Sequence, residues 1–257
     1  MTFKQSRSHN AFLNCFSHSH KQPVQQKRSA KYDVVLFDAA ETLFTTRGTI
    51  GEIYSEVARK YGSTALPTEI QAAFLRQFQH SGPLTTDNEK QWWSEIVFRV
   101  FDDVGMVSNF ERFFEEVYEE FRDARGWRLF PETLDVLQEL RRLEFKLGVI
   151  SNFDSRIYTV MRSLKILSFF DSITISSETG FAKPHPEIFQ AAIRKTDVPA
   201  ARILFVGDNL ADDVQAGAKA GLHTILIDRN GRHTGSVSVE TVQNLRELLN
   251  QVLTRPC

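Results

Sequence analysis

The chain has 257 residues, 42% hydrophobic and 25% charged, with a formal net charge of −1. That is the composition of a globular protein large enough for one domain or for a core with a smaller companion. Near-neutrality provides no global field to draw it to nucleic acid or an anionic membrane. No apolar run approaches the roughly 18 residues of a spanning helix. Cys15 and Cys257 stand near opposite termini, with neither metal-ligand spacing nor the density of a disulfide framework.

Residues 1–31 contain no acidic side chain, whereas Lys4, Arg7, Lys21, Lys27, Arg28 and Lys31 supply positive charge among Ser, Gln and His. Such a segment reads as a disordered solvated tail, or as the basic, Ser-containing transit peptide of an organelle. The expected location is cytoplasmic under the first reading, and mitochondrion or plastid under the second. Residues 33–38 then read as a strand. From 51 to 125 the periodicity turns helical. Phe110, Phe113, Phe114, Val117, Tyr118 and Phe121 mark one helix face, and Trp92, Trp93, Ile96, Val97 and Val100 another. Pro67, Ser81-Gly82-Pro83 and Gly105 punctuate this stretch, which predicts an all-helical insert between the core segments 32–50 and 126–257.

Beyond Pro131 strands and helices alternate. Helices are predicted over 131–143, 155–164, 186–195, 211–220 and 239–253. Strands are predicted over 146–151, 172–176, 203–207 and 223–227. This order implies βαβ crossovers and a parallel sheet covered on both faces, an α/β fold. The near-continuous apolar character of the strands agrees with burial on both sides.

Polar residues fall at the ends of these strands, the edge where open parallel sheets carry their sites. Asp38 ends the first strand, as a nucleophile or as an N-cap or turn residue. Ser151 and Asn152 stand where a strand gives way to a helix, a place suited to an anion or to an ordinary cap. Asp208 follows Ile203–Gly207, and two strand-end carboxylates from adjacent strands can share a hard cation such as Mg²⁺. Lys183 precedes Pro184, which biases it toward extended backbone, and Pro186 suits a first helical turn. Asn209 reads as a turn residue, and Asp212 as solvent-facing or favoured by a helix dipole. His185 and His223 form no metal constellation.

Four segments in order, Asp38-Ala39-Ala40-Glu41-Thr42, Val149-Ile150-Ser151-Asn152, Lys183-Pro184-His185-Pro186 and Gly207-Asp208-Asn209 with Asp212-Asp213, resemble motifs I to IV of the haloacid dehalogenase superfamily. The resemblance is to the subgroup whose helical cap lies between motifs I and II. It implies a Rossmann-like core, Asp38 as covalent nucleophile, and Mg²⁺ held by Asp38, the backbone carbonyl of Ala40 and Asp208. It also implies Lys183, Ser151 and Asn152 at a phosphate, Thr42 bonded to the Asp38 carboxylate or the loop backbone, and Asp213 supporting Lys183 or a metal-bound water.

Motif I departs from the family's phosphatases, which carry a second Asp where this chain has Ala40. A general acid–base group contributes about a hundredfold to ten-thousandfold. Phosphoryl transfer on a small phosphorylated metabolite is therefore expected to be slow, unless the adjacent Glu41 substitutes. Two-haloacid dehalogenases also lack the second Asp, but lack the Gly207-Asp208 form of motif IV as well. Phosphonoacetaldehyde hydrolases place Ala at this position and use a cap lysine; Lys60 and Lys90 lie in the corresponding region. A catalytically impaired module that binds a phosphorylated ligand or a partner is the non-enzymatic alternative.

Overall fold

A computed structural model describes residues 31–81, 84–233 and 239–254. The basic segment 1–30, both cysteines and the Gly82-Pro83 pair lie outside the described residues. In chain order the elements are β1 (Val34–Phe37), β2 (Phe44–Thr46), α1 (Ile50–Arg59), α2 (Pro67–Gln79), α3 (Glu89–Val104), α4 (Phe110–Glu120) and β3 (Trp127–Leu129). They continue as α5 (Thr133–Arg142), β4 (Lys146–Ser151), α6 (Arg156–Ser163), β5 (Ser172–Ile175), α7 (Ser176–Thr179) and α8 (Pro186–Arg194). The chain ends with β6 (Ile203–Gly207), α9 (Ala216–Lys219), β7 (His223–Ile227), β8 (Thr241–Val242) and α10 (Leu245–Thr254).

Six strands form one sheet in the order β5-β4-β1-β6-β7-β8, and every pairing in it is parallel. Val34, Val35, Leu36 and Phe37 are buried, because β1 lies between two neighbours with apolar side chains on both faces. Val35, Phe37, Val149 and Val206 belong to one cluster with Leu137, Leu140, Ile157 and Val160. Val34, Leu36, Ile150 and Phe205 face the other side, against Ile188 and Phe189. The register sets Phe37 beside both Val149 and Val206. The C-terminal ends of β4, β1 and β6 consequently share one edge, with the strand order reversing at β1.

The helical insert α1–α4 packs around its own cluster, which includes Ile53, Ile70, Phe74, Val100, Phe101 and Phe113. A capping box starts α1: the Thr49 hydroxyl accepts from the Glu52 N–H, and the Glu52 carboxylate accepts from the Thr49 N–H. The chain enters and leaves the insert along a two-stranded antiparallel ribbon, β2 with β3, that the periodicity did not reveal. Three residues per strand are too few to establish an alternation. Trp127 in this ribbon packs against both the insert and the core.

Three predicted boundaries need correction. The last helix starts at Leu245 rather than 239, because Thr241 and Val242 pair with Leu226 and Ile227 as an edge strand. The helix expected over 211–220 is a wide π turn, Leu210–Gln215, followed by α9. The strand expected to 176 ends at Ile175, and Ser176 opens the short α7. No helix among the described residues is long and apolar enough to cross a membrane.

Candidate active site

The shared strand edge gathers Asp38, Ser151, Lys183, Asp208 and Asp213. Asp38 is still tied to the sheet, its N–H donating to the Val206 carbonyl at 2.8 Å. The Lys183 ammonium donates to Oδ1 of Asp38 and to Oδ1 of Asp213, each at 2.6 Å, and all three side chains are buried. Ser151 Oγ donates to the same Asp38 oxygen at 3.3 Å. Carboxylate oxygens of Asp38, Asp208 and Asp213 all lie within 4.8 Å of one another. Gly207 makes this approach possible: a β-carbon there would sit 2.3 Å from Asp213 Oδ2. That oxygen also accepts the Asn209 N–H at 3.0 Å.

The electrostatics follow from this crowding. Burial drives the Asp38 carboxyl up to about 6; Lys183 pulls it down and the Asp213 charge pushes it up. Asp208 is pushed to about 8, first by burial and then by the charges of Asp38 and Asp213. Burial alone would lower Lys183, but Asp213 and Asp38 outweigh it and hold the ammonium above the usual lysine range. Three carboxylates thus face one ammonium. An all-oxygen donor set with excess negative charge is the chemistry that suits a hard divalent cation, so the residues present fit Mg²⁺.

Two predicted roles change. The Thr42 hydroxyl is buried with no hydrogen-bond partner, so it bonds neither Asp38 nor the loop backbone. The Asn152 amide is committed to the Lys183 backbone: Nδ2 donates to the Lys183 carbonyl at 2.9 Å, and Oδ1 accepts its N–H at 2.6 Å. It holds the lysine segment in place instead of presenting itself to a phosphate. Asn209 caps the π turn through the Ala211 and Asp212 N–H groups. Its amide also donates to Asp212 at 3.0 Å; Asp212 is half-buried and lies in the first turn of Leu210–Gln215, the second of its two expected placements.

Other candidates lie apart from the carboxylate cluster. Lys60 and Lys90 are exposed and paired with Glu116 and Glu115 on the insert. His185 stacks on Phe181 and accepts the Glu187 N–H at the start of α8, while His223 contacts Tyr32. Trp92 packs against Phe78, but Trp93 reaches the core.

The sequence matches the haloacid dehalogenase-like hydrolase family over residues 32–221. It is 30% identical over 206 residues to haloacid dehalogenase-like hydrolase domain-containing protein 3 of Homo sapiens, an alignment covering 76% of this chain and 81% of that protein. The chain belongs to the haloacid dehalogenase-like hydrolase family. Its fold is also that of a phosphatase from Thermococcus onnurineus, with 22% identity, a TM-score of 0.63, and coverage of 88% of this chain and 100% of the other. The L-2-haloacid dehalogenase of Xanthobacter autotrophicus, solved with chloropropionic acid covalently bound, is 17% identical with a TM-score of 0.65, over 86% and 98% of the two chains. Both chemistries therefore occur on this fold, and family membership makes the chain a hydrolase without choosing between them.

Sequence reading missed two groups on the loops that follow β4 and β7. The loop after β4 carries Asp154, fully buried, which accepts from the Arg156 N–H, Nε and Nη2 and from Trp93 Nε1 at 2.5 Å. The Arg156 guanidinium lies over the rings of Trp93 and Tyr118 from the insert. Glu89 of α3 accepts from the Ser155 N–H at 2.8 Å and from its hydroxyl. A pair two residues apart in sequence gives no periodic signal. The second group centres on Arg229, which follows β7 at the same sheet edge; that position was its one legible mark.

Proposed function

We infer that the chain is a Mg²⁺-dependent phosphatase or phosphoryl-transfer enzyme acting on a small phosphorylated metabolite through Asp38. The observation that carries this reading is Asp208, a third carboxylate kept within 4.8 Å of the nucleophile's and of Asp213's. Displacement of a halide from carbon needs no such group, whereas the crowding that pushes Asp208 up to about 8 is relieved by a bound divalent cation and not by an anionic haloacid. A divalent cation held by Asp38, the Ala40 carbonyl and Asp208 would supply the missing positive charge and polarise a phosphoryl oxygen.

The chain's own residues account for the remaining work. The Asp38 carboxylate attacks phosphorus; the new P–O bond to Asp38 forms as the bond to the alcohol oxygen breaks. Lys183 stays protonated and holds Asp38 Oδ1, so its fixed charge lies where negative charge accumulates. Ser151 Oγ orients the same carboxylate. Ala40 offers no proton, so the alcohol departs as a weak base or takes a proton from water. Water then attacks phosphorus, releases phosphate and restores Asp38. The helical insert acts as a cap that closes the site and selects the substrate.

One observation favours the dehalogenase reading. A halide leaves without a proton, so Ala40 would cost nothing there. The deciding experiment is a Mg²⁺-supplemented screen of phosphorylated metabolites and 2-haloacids, with acid-quench trapping of phosphoenzyme. Phosphate labelling lost in Asp38→Asn supports the proposal. Metal-independent turnover of 2-chloropropionate with no labelling refutes it.

A further inference from the structure

Three consecutive carbonyls of the loop after Asp38 are held from outside that loop. The Glu41 carbonyl accepts from Arg229 Nε at 3.2 Å, and the Thr42 carbonyl from Arg229 Nη2 at 2.7 Å. The Leu43 carbonyl accepts from the Thr133 hydroxyl at 2.7 Å. The third face of the Arg229 guanidinium is used as well, since Nη1 donates to Glu132 at 2.8 Å. Its central carbon, Cζ, lies over the Phe130 ring, 3.4 Å from the ring centre. Phe130 and Glu132 belong to the segment that returns from the insert into α5. One side chain at the end of β7 therefore joins the outgoing loop to the returning one.

Glu41 explains why the loop needs holding. Its φ is +60°, the left-handed region that costs an L-residue about 1–2 kcal/mol. Such a conformation persists only where the surroundings over-determine it. The bond from Arg229 to the Glu41 carbonyl, with Glu41 N–H donating to the Phe44 carbonyl at 2.7 Å, provides that. A planar fork can meet two successive carbonyls and a carboxylate together; a lysine point charge cannot.

We propose that Arg229 is a positioning residue: by holding the Glu41 and Thr42 carbonyls it fixes the loop that aims the Ala40 carbonyl at the cation site. Aiming of the Ala40 carbonyl rests on the proposed metal dependence; the control of loop conformation does not. Removal of the fork frees the Glu41 and Thr42 carbonyls to reorient, while the Leu43 carbonyl keeps its bond from Thr133 and Asp38 stays tied to β6 through its own N–H.

The test uses the full chain. Arg229→Met is combined with Glu132→Gln so that no buried carboxylate loses its partner, and Glu132→Gln alone serves as control. Hydrogen exchange of the peptide 38–44 is measured without metal, and Mn²⁺ affinity by electron paramagnetic resonance of the free ion. Faster exchange at residues 41–44 is expected in the double variant, with β5 and α4 unchanged. The Mn²⁺ dissociation constant should rise about 10-fold, the scale seen when groups behind metal ligands are removed. Arg229→Lys should fall between the double variant and wild type. A lowered melting temperature with unchanged exchange at 38–44 overturns the proposal, since the fork would then be only structural. Unchanged Mn²⁺ affinity despite faster exchange overturns its link to the cation site. If wild type binds no Mn²⁺, the metal reading fails and the exchange arm alone decides the positioning role.

Discussion

At position 40 a methyl group stands beside Asp38, the proposed nucleophile, which a lysine and a serine hold. The predicted kinetic signature is low turnover, a preference for aryl and acyl phosphates, and a phosphoenzyme that outlives those of relatives with the second carboxylate. Ala40→Asp should accelerate hydrolysis of alkyl phosphates by about a hundredfold or more, read from steady-state rates. Glu41→Gly should be made with it, since it relieves the positive φ and should add up to about 1 kcal/mol of stability. No gain from either variant, with activity abolished by Glu41→Gln, would identify Glu41 as the acid–base. A second prediction comes from Asp38 and Asp208, whose carboxyls are pushed up to about 6 and about 8. Between about pH 4 and pH 8 the folded metal-free protein binds more protons at these groups than the unfolded chain does, so stability falls as pH rises. The melting temperature of chelator-treated protein should drop from pH 5 to pH 8, and Asp208→Asn should flatten the slope. Mg²⁺ should stabilise most at the upper end, where the carboxylates are ionised. A pH profile identical in wild type and Asp208→Asn would refute this. Asp38, Lys183 and Asp208 were legible because each lies where an apolar run ends or a Pro-bounded helix begins. The partners chosen by Thr42 and Asn152 were not. A hydroxyl or amide takes whichever donor or acceptor the folded neighbours bring within reach, and spacing along the chain does not encode that.

Among the elements, strands of four or more residues, the faces of α3 and α4, and the helices α5, α6, α8 and α10 were legible through their apolar pattern, whereas α1 and α2 were read only as part of one helical stretch. The lost boundaries have local causes. The edge strand β8 has two residues and is defined by its partner β7. Asn244 and Glu247 start α10 instead, through side-chain bonds to backbone N–H groups: Asn244 Oδ1 accepts from Glu247, and Glu247 Oε2 accepts from Gln243. The seam between α3 and the loop after β4 carries the next prediction. Asp154 and Arg156 are buried together, and removal of one charge leaves the other without its partner. Asp154→Asn should destabilise the protein by about 3 kcal/mol or more, measured by denaturant midpoint. It should also change intrinsic fluorescence, because the indole N–H of Trp93 loses its charged acceptor. A midpoint within experimental error of wild type would show that the seam contributes nothing to stability.

Taken as a whole, the molecule is a sheet with a second hydrophobic cluster joined to it by the β2–β3 ribbon, by the seam at Asp154, and by two further bonds, from the Thr86 N–H to the Ser177 carbonyl at 3.0 Å and from the Ala124 N–H to Ser163 Oγ at 2.9 Å. At the far end of the ribbon the Arg47 N–H donates to the Gly126 carbonyl at 3.0 Å, so the two chain crossings are adjacent. Replacement of residues 48–125 by an Asn-Gly turn should close β2 and β3 into a hairpin and leave a folded sheet. Substrate range should then broaden, as read by the same metabolite screen. An unchanged range would show that the insert is not the selector. The adjacency of Arg47 and Gly126 also bears on how the chain folds. Phe37 and Val149 pair in the parallel ladder although about 110 residues separate them along the chain, which makes β1–β4 a slow, long-range contact. If the helices collapse first on their own aromatic cluster, the ribbon pins the ends of the inserted segment and the remaining chain between the strands is about 35 residues. The loop-closure entropy then falls by about 1 kcal/mol, so early helix assembly should speed sheet formation several-fold.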